Sequence, residues 1–91
     1  MEPSDTSKVD ERIARTKRVI ALFGGVEPVM RITGKSRTRV YSWTYVKAKG
    51  GTDGFVPPEC QEAMLVHAAQ VGLRLSPYDF LPTDLQPKEA A

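Results

Sequence analysis

A chain of 91 residues has room for one domain and one shared core, not for two. With 41% hydrophobic and 26% charged residues it has an ordinary globular composition, and its longest apolar run, Val19 to Phe23, is too short to span a bilayer. The net charge of +2 hides an asymmetry: residues 1–49 carry eleven Lys/Arg against five Asp/Glu, whereas residues 50–91 carry two against six. A polyanion would therefore be met by the N-terminal half, where Lys and Arg that neutralise phosphates release condensed counterions. A basic block of this kind is equally a solvated surface, so charge alone does not decide.

Nothing in the first residues pairs a basic stretch with an apolar core, so no secretory leader is expected and the expected location is the cytoplasm. Cys60 stands alone, and with only His67 beside it there is neither a disulfide framework nor a metal-ligand set. No cofactor is expected. Carboxylates are scattered without a convergent pair, and the glycines at 50, 51 and 54 lack the Gly-Lys-Ser/Thr ending of a phosphate-binding loop. An enzyme is not expected.

Residues 1–6 and 83–91, polar or proline-punctuated and without periodicity, are read as disordered tails around a domain over 7–82. A first helix opens with Ser7 as N-cap and runs to Phe23, burying Val9, Ile13, Ile20 and Phe23, with Arg12, Arg15, Lys17 and Arg18 on its other faces. Gly24 and Gly25 stop it. A second helix spans Val26 to Thr33, with Pro28 tolerated in its first turn and Gly34 as its left-handed cap. Ser36 caps a third helix reaching Val46 or Lys47, although Val40 to Val46 is also the one strand-like run in the chain. Gly50, Gly51, Asp53 and Gly54 then read as a flexible loop. Pro57 and Pro58 start a fourth helix that Gly72 ends, and Ser76-Pro77 signals a short turn or helix returning Tyr78 and Phe80 to the core. The expected fold is a compact all-α domain of four or five helices.

A two-turn helix, a glycine stop and a new helix within three residues make a helix-turn-helix arrangement. Its second helix should be apolar inward and polar outward. Val40 and Trp43 supply the inward face, meeting Val29, Met30 and Ile32, with Trp43 as a core anchor rather than a ligand platform. Ser36, Arg37, Thr38, Tyr41, Ser42 and Tyr45 are the candidates for base contacts in a major groove. Lys17, Arg18, Lys35, Arg39, Lys47 and Lys49 are the candidates for phosphate contacts. Each has a plainer reading: the tyrosines could pack on one another, and the arginines could be solvated. Cys60 reads as a small buried residue beside Glu59 and Glu62, which would not activate it, and His67 as a surface or interface residue.

From Val19 to Phe80, the Leu22-Phe23-Gly24-Gly25 start, Gly34, Val40, Trp43, Val56-Pro57, Ala68-Ala69, Gly72-Leu73 and Ser76-Pro77-Tyr78-Asp79-Phe80 resemble small bacterial Cro-like and phage-repressor-like helix-turn-helix proteins. The resemblance covers about two thirds of the chain and rests on spacing. It implies a four- or five-helix domain that binds operator DNA, often as a dimer, and regulates transcription. Met30, Thr33 and Lys35 depart from the pattern, which favours alanine, leucine and an apolar residue there, and they predict a nonstandard angle between the two helices.

The expectation is thus a sequence-specific, nucleoid-associated regulator of a bacterium or a phage-derived element, reading double-stranded DNA as a homodimer with a recognition helix over 36–47. Dimerisation is expected through the acidic half, on the fourth helix or the Tyr78 to Leu81 segment, because a basic surface repels its own copy. A protein partner from the transcription machinery is compatible with this. The alternatives are a protein-interaction adaptor on the same fold and an architectural DNA-binding protein with little sequence preference.

Overall fold

The computed structural model describes residues 3–80, with side chains from Lys8 onward, and is all-helical in that range. Four α-helices, α1 (Pro3–Leu22), α2 (Val26–Thr33), α3 (Arg37–Ser42) and α4 (Pro58–Val71), are joined by two 3₁₀ helices, Lys47–Lys49 and Pro77–Phe80. No strand occurs among the described residues, so the strand-like reading of Val40 to Val46 is dismissed. None of the described helices is long and apolar enough to cross a membrane. Leu81 and the tail expected over residues 83–91 lie outside the described residues.

The helix starts and stops follow local chemistry. α1 begins at Pro3, not after an N-cap at Ser7: a proline fits the first helical position, where its missing N–H has no intrahelical partner to lose. It ends at Leu22, and the Gly25 amide bonds back to the Ile20 carbonyl. α2 closes on Gly34, whose φ of 73° and ψ of 12° lie in the left-handed region and whose N–H reaches the Met30 carbonyl at 2.8 Å. Thr33 has a use that its polarity disguised: its hydroxyl donates to the Val29 carbonyl and accepts from the Lys35 amide, fastening the helix end to the turn. α4 starts from the Pro57-Pro58 pair and is capped by Gly72.

The core lies between α1, α2, α3 and α4. Val29, Val40 and Met64 are wholly inaccessible, Trp43 and Cys60 nearly so, and Val19, Ile20, Phe23, Val56 and Ala68 complete the buried set. On α4 the inward residues Cys60, Met64 and Ala68 recur every four positions, one stripe along one face. Met30 and Ile32 are half-buried against this core, as are Leu75 and Phe80. Tyr78, expected to return with Phe80, instead remains exposed, because the 3₁₀ turn is held at its base by Asp79 accepting the Ser76 amide and Ser76 accepting the Tyr78 amide. Arg15, expected on an outer face of α1, is 6% exposed.

The segment after α3 departs most from expectation. α3 stops at Ser42 instead of continuing to Val46 or Lys47. Val40 to Val46 is a run of β-branched and aromatic residues with low helix propensity, and the Ser42 and Thr44 hydroxyls donate to the Arg39 and Tyr41 carbonyls. The chain beyond then bonds what would have been helical carbonyls: Ser42 accepts from the Thr52 amide and Tyr45 from the Asp53 amide. The glycine-rich stretch is therefore tied by hydrogen bonds to the turn after α3. Gly51 passes so close to Tyr45 that a Cβ would sit 2.0 Å from its carbonyl oxygen, and Gly54 abuts the α1 backbone, 2.8 Å from the Ile13 nitrogen by the same measure. Thr16, buried on α1, donates to the Gly54 carbonyl at 2.5 Å, and Arg12 donates to the Asp53 carbonyl while its guanidinium lies 4.1 Å from the Phe55 ring centre.

Two predictions follow from this packing. Thr16→Val removes the buried donor while keeping its shape and strands a carbonyl, so urea unfolding should show a loss of about 1–3 kcal/mol with an unchanged m value; a loss under about 0.3 kcal/mol would mean that the loop is not held this way. For Cys60, burial pushes the thiol pKa up, with Lys35 opposing, Glu59 adding and Arg39 opposing. The neutral buried thiol stabilises the fold fully below its ordinary titration range, and this contribution declines as pH rises beyond it. Iodoacetamide at mildly alkaline pH should accordingly modify the folded protein far more slowly than the urea-unfolded chain, whereas equal rates would contradict the burial.

Candidate nucleic-acid interface

The surface of interest is the outward side of α3 and the turn beyond it. Ser36 is the N-cap as expected: in an extended conformation it accepts the Arg39 amide at 3.2 Å, which leaves its O–H available to donate outward. Because Val40 and Trp43 point fully inward, Arg37, Thr38, Arg39, Tyr41 and Tyr45 stay on the outside, and all five are exposed. Ser42 is half-buried and its hydroxyl already donates to Arg39, so outward it serves as an acceptor. Tyr41 and Tyr45 do not share a helix face as their spacing implied, since Tyr45 lies beyond the helix in the following turn. Its 47% exposure comes from the loop holding its backbone.

From Lys35 to Lys49 the chain holds five Lys/Arg and no carboxylate. Two of these cations have acidic neighbours from elsewhere in the fold. Arg37 pairs with Glu27 in the first turn of α2, and Lys35 lies 3.5 Å from Glu59 in the first turn of α4. Lys47 and Lys49 belong to the 3₁₀ turn beside α3, where the Lys47 amide donates to the Asp53 carboxylate. Asp53 takes a positive φ of 57° to make this bond, one that a short polar side chain tolerates. This loop clasp was not evident from the sequence, although an Asp between glycines is a recognisable local signal for a left-handed position.

Not all the candidate phosphate contacts converge. Lys17 is exposed on α1, whereas Arg18 lines a groove with Arg74 and Asp79, on the side of α1 that meets the Pro77–Phe80 turn. Arg12, passed over in favour of these two, is the α1 cation that touches the loop following α3. His67 is half-buried, its ring 6.1 Å from that of Phe23, and among the described residues no group of His, Cys, Asp and Glu could hold a metal ion. A shallow groove lined by Ile32 of α2 and by Glu59, Glu62, Ala63, Val66 and His67 runs along α4, with Val66 52% exposed.

Compared with models of protein families, with curated proteins and with solved structures, the chain matches none.

Both partners of the Arg37–Glu27 pair are at least half exposed, so it should contribute little to the fold. Glu27→Gln is expected to change unfolding stability by less than about 1 kcal/mol. A loss of twice that in chemical denaturation would make the pair a structural brace.

Proposed function

We propose that the chain is a sequence-specific DNA-binding regulator of transcription that inserts α3 into the major groove. The observation carrying this reading is the division of α3 into two sides. Val40 is 0% and Trp43 2% exposed, while every outward position is a hydrogen-bonding side chain and none is acidic. An isolated amphipathic surface helix would serve solubility equally well with Glu and Lys mixed. A helix facing a polyanion must exclude the carboxylates, and this one does. The helix-turn-helix connection of α2 to α3 through Gly34 suits a docking in which α2 braces on the backbone and the first turn of α3 reaches base edges. The likeness to Cro-like and phage-repressor-like proteins supports the same reading.

In this reading Arg37, Thr38, Tyr41 and Tyr45 face bases, Ser36 donates to them and Ser42 accepts from them. Lys35, Arg39, Lys47 and Lys49 hold phosphates. Arg37 exchanges Glu27 for a guanine edge. A surface ion pair is worth at most about 1 kcal/mol, whereas a bidentate arginine–guanine contact discriminates by about 1–3 kcal/mol, so the exchange is favourable. Six residues of helix cover few base pairs, and useful specificity therefore calls for two copies on half-sites about one turn apart. The exposed Val66 and the groove beside it on α4, whose lining includes Glu59 and Glu62, offer a surface for that pairing.

Selection of bound duplexes from a random library tests the reading. The protein should enrich a two-fold symmetric site, and Arg37→Ala should relax one base pair per half-site at a cost of about 1–3 kcal/mol. Lys47→Ala with Lys49→Ala should weaken all sequences alike and lower the slope of log affinity against log salt by about 2 per protomer. Flat enrichment that Arg37→Ala leaves unchanged would indicate an architectural protein, and no duplex binding at low salt would remove DNA from the account.

A further inference from the structure

Two aromatic side chains stand outside the core beside residues that already do the packing for their segments. Tyr45 is 47% exposed two positions after the buried Trp43, and Phe55 is 58% exposed next to Val56, which is 4% exposed. The loop that carries them is anchored without their rings: Thr16 holds the Gly54 carbonyl, the Asp53 amide holds the Tyr45 carbonyl, and Val56 enters the core. Because Phe55 follows Asp53 by two residues, the Tyr45–Asp53 bond brings the two aromatic positions to neighbouring points of one loop. The Arg12 guanidinium lies over the Phe55 ring, 4.1 Å from its centre. Lys47 and Lys49, both exposed, follow Tyr45 in the same turn. From residue 28 to residue 58 Asp53 is the one Asp or Glu, and its carboxylate accepts the Lys47 amide.

We propose that this loop binds single-stranded nucleic acid, with unpaired bases stacking on Phe55 and Tyr45 and the adjoining phosphates meeting Lys47 and Lys49. Surfaces that hold single strands combine cations that follow the backbone with aromatic rings that accept any base, since every base has a π-face. Both parts occur here within one short stretch of chain. Other ligands would use only one of them. A duplex keeps its base faces inside its own stack, a polyanion without bases leaves the rings in water, and an apolar peptide brings no counter-charge to the lysines. Arg12 suits the Phe55 ring to this task, because a cation on one face of a ring leaves the opposite face for a base. The site borders the face assigned to duplex DNA but does not rest on α3 entering a groove.

Fluorescence anisotropy at low salt, with the full chain and labelled strands of about twelve nucleotides, tests this. Oligothymidylate should bind about tenfold more tightly than an abasic deoxyribose-phosphate strand of equal charge. A uridylate strand serves as the RNA arm and should bind equally, because a stack on an aromatic ring is indifferent to the 2′-hydroxyl. Phe55→Leu and Tyr45→Leu, both at exposed positions, should keep the native near-UV spectrum and leave the abasic strand unaffected. Each should weaken thymidylate about tenfold, or about 1.4 kcal/mol, as expected for the loss of one base–aromatic stack. Phe55→Trp should retain binding, with indole emission quenched by thymidylate and not by the abasic strand. Equal affinity for thymidylate and the abasic strand, unchanged thymidylate affinity in the folded double leucine variant, or no strand binding at low salt would each overturn the assignment, whether or not the duplex selection yields an operator.

Discussion

A helix of six residues cannot hold itself in water, because nucleating one turn costs more than so few hydrogen bonds return. The shape of α3, and with it the position of every polar group on its outer side, depends on two side chains pushed inward: Val40 and Trp43. They enter a space bounded by Val29 of α2 and by Met64 and Cys60 of α4, all essentially inaccessible to solvent. The burial of Trp43 alone removes a large apolar surface from water, and such residues dominate the energetics of small cores. Truncating either side chain would therefore act on the outer surface as well as on stability, through the helix that presents it.

The second constraint works on the backbone. Four hydrogen bonds hold the chain leaving α3: the Thr52 and Asp53 amides donate to the carbonyls of residues 42 and 45, the Lys47 amide donates to the Asp53 carboxylate, and the Thr16 hydroxyl of α1 donates to the Gly54 carbonyl. These fix Tyr45, Lys47 and Lys49 relative to α3 although none of them is helical with it. A backbone that is already positioned has less freedom left to lose on binding, so for the proposed docking the loop would lower the ordering cost instead of adding to it. The glycines belong to this arrangement through close approach: at 51 and 54 a methyl group would overlap the Tyr45 carbonyl or the α1 backbone.

Much of this was legible in the sequence where the signal is local. Gly34, Pro57-Pro58 and Gly72 set helix ends within a residue, and Trp43 announced itself as core by its apolar spacing from Val40. The failures share a physical cause, which is that the deciding partner lies far away in the chain. Whether Val40 to Val46 continues as helix depends on Thr52 and Asp53 competing for its carbonyls, and no periodicity within the run reveals that. Gly51 and Gly54 look like freedom until the strand of chain or helix they touch is known. Arg15 sits on a face of α1 that is outward by pattern, yet it is buried and lines a groove with Arg74, Leu75 and Asp79 of the segment after α4. Among the candidate contacts, those on α3 were placed by local periodicity and came together, whereas Lys17 and Arg18 were chosen by nearness in sequence, and Arg18 faces elsewhere.

The acids around α3 show how a basic surface is kept compatible with folding. Five cations within fifteen residues repel one another, and the chain relieves this with Glu27 and Glu59 from two other helices, neither of which interrupts the outer face of α3. Each acid stands in the first turn of its own helix, where the positive end of the helix dipole already favours it. Neither acid therefore depends on its cation for a favourable place, and the cation can turn away at little cost. Exposed pairs of this kind hold Arg37 and Lys35 in defined positions without binding them strongly. The phosphate lattice that would replace these acids has a much denser negative charge. The same two carboxylates then act against any ligand that brings only weak negative potential, since it must displace a pair without the counterion release that a duplex supplies.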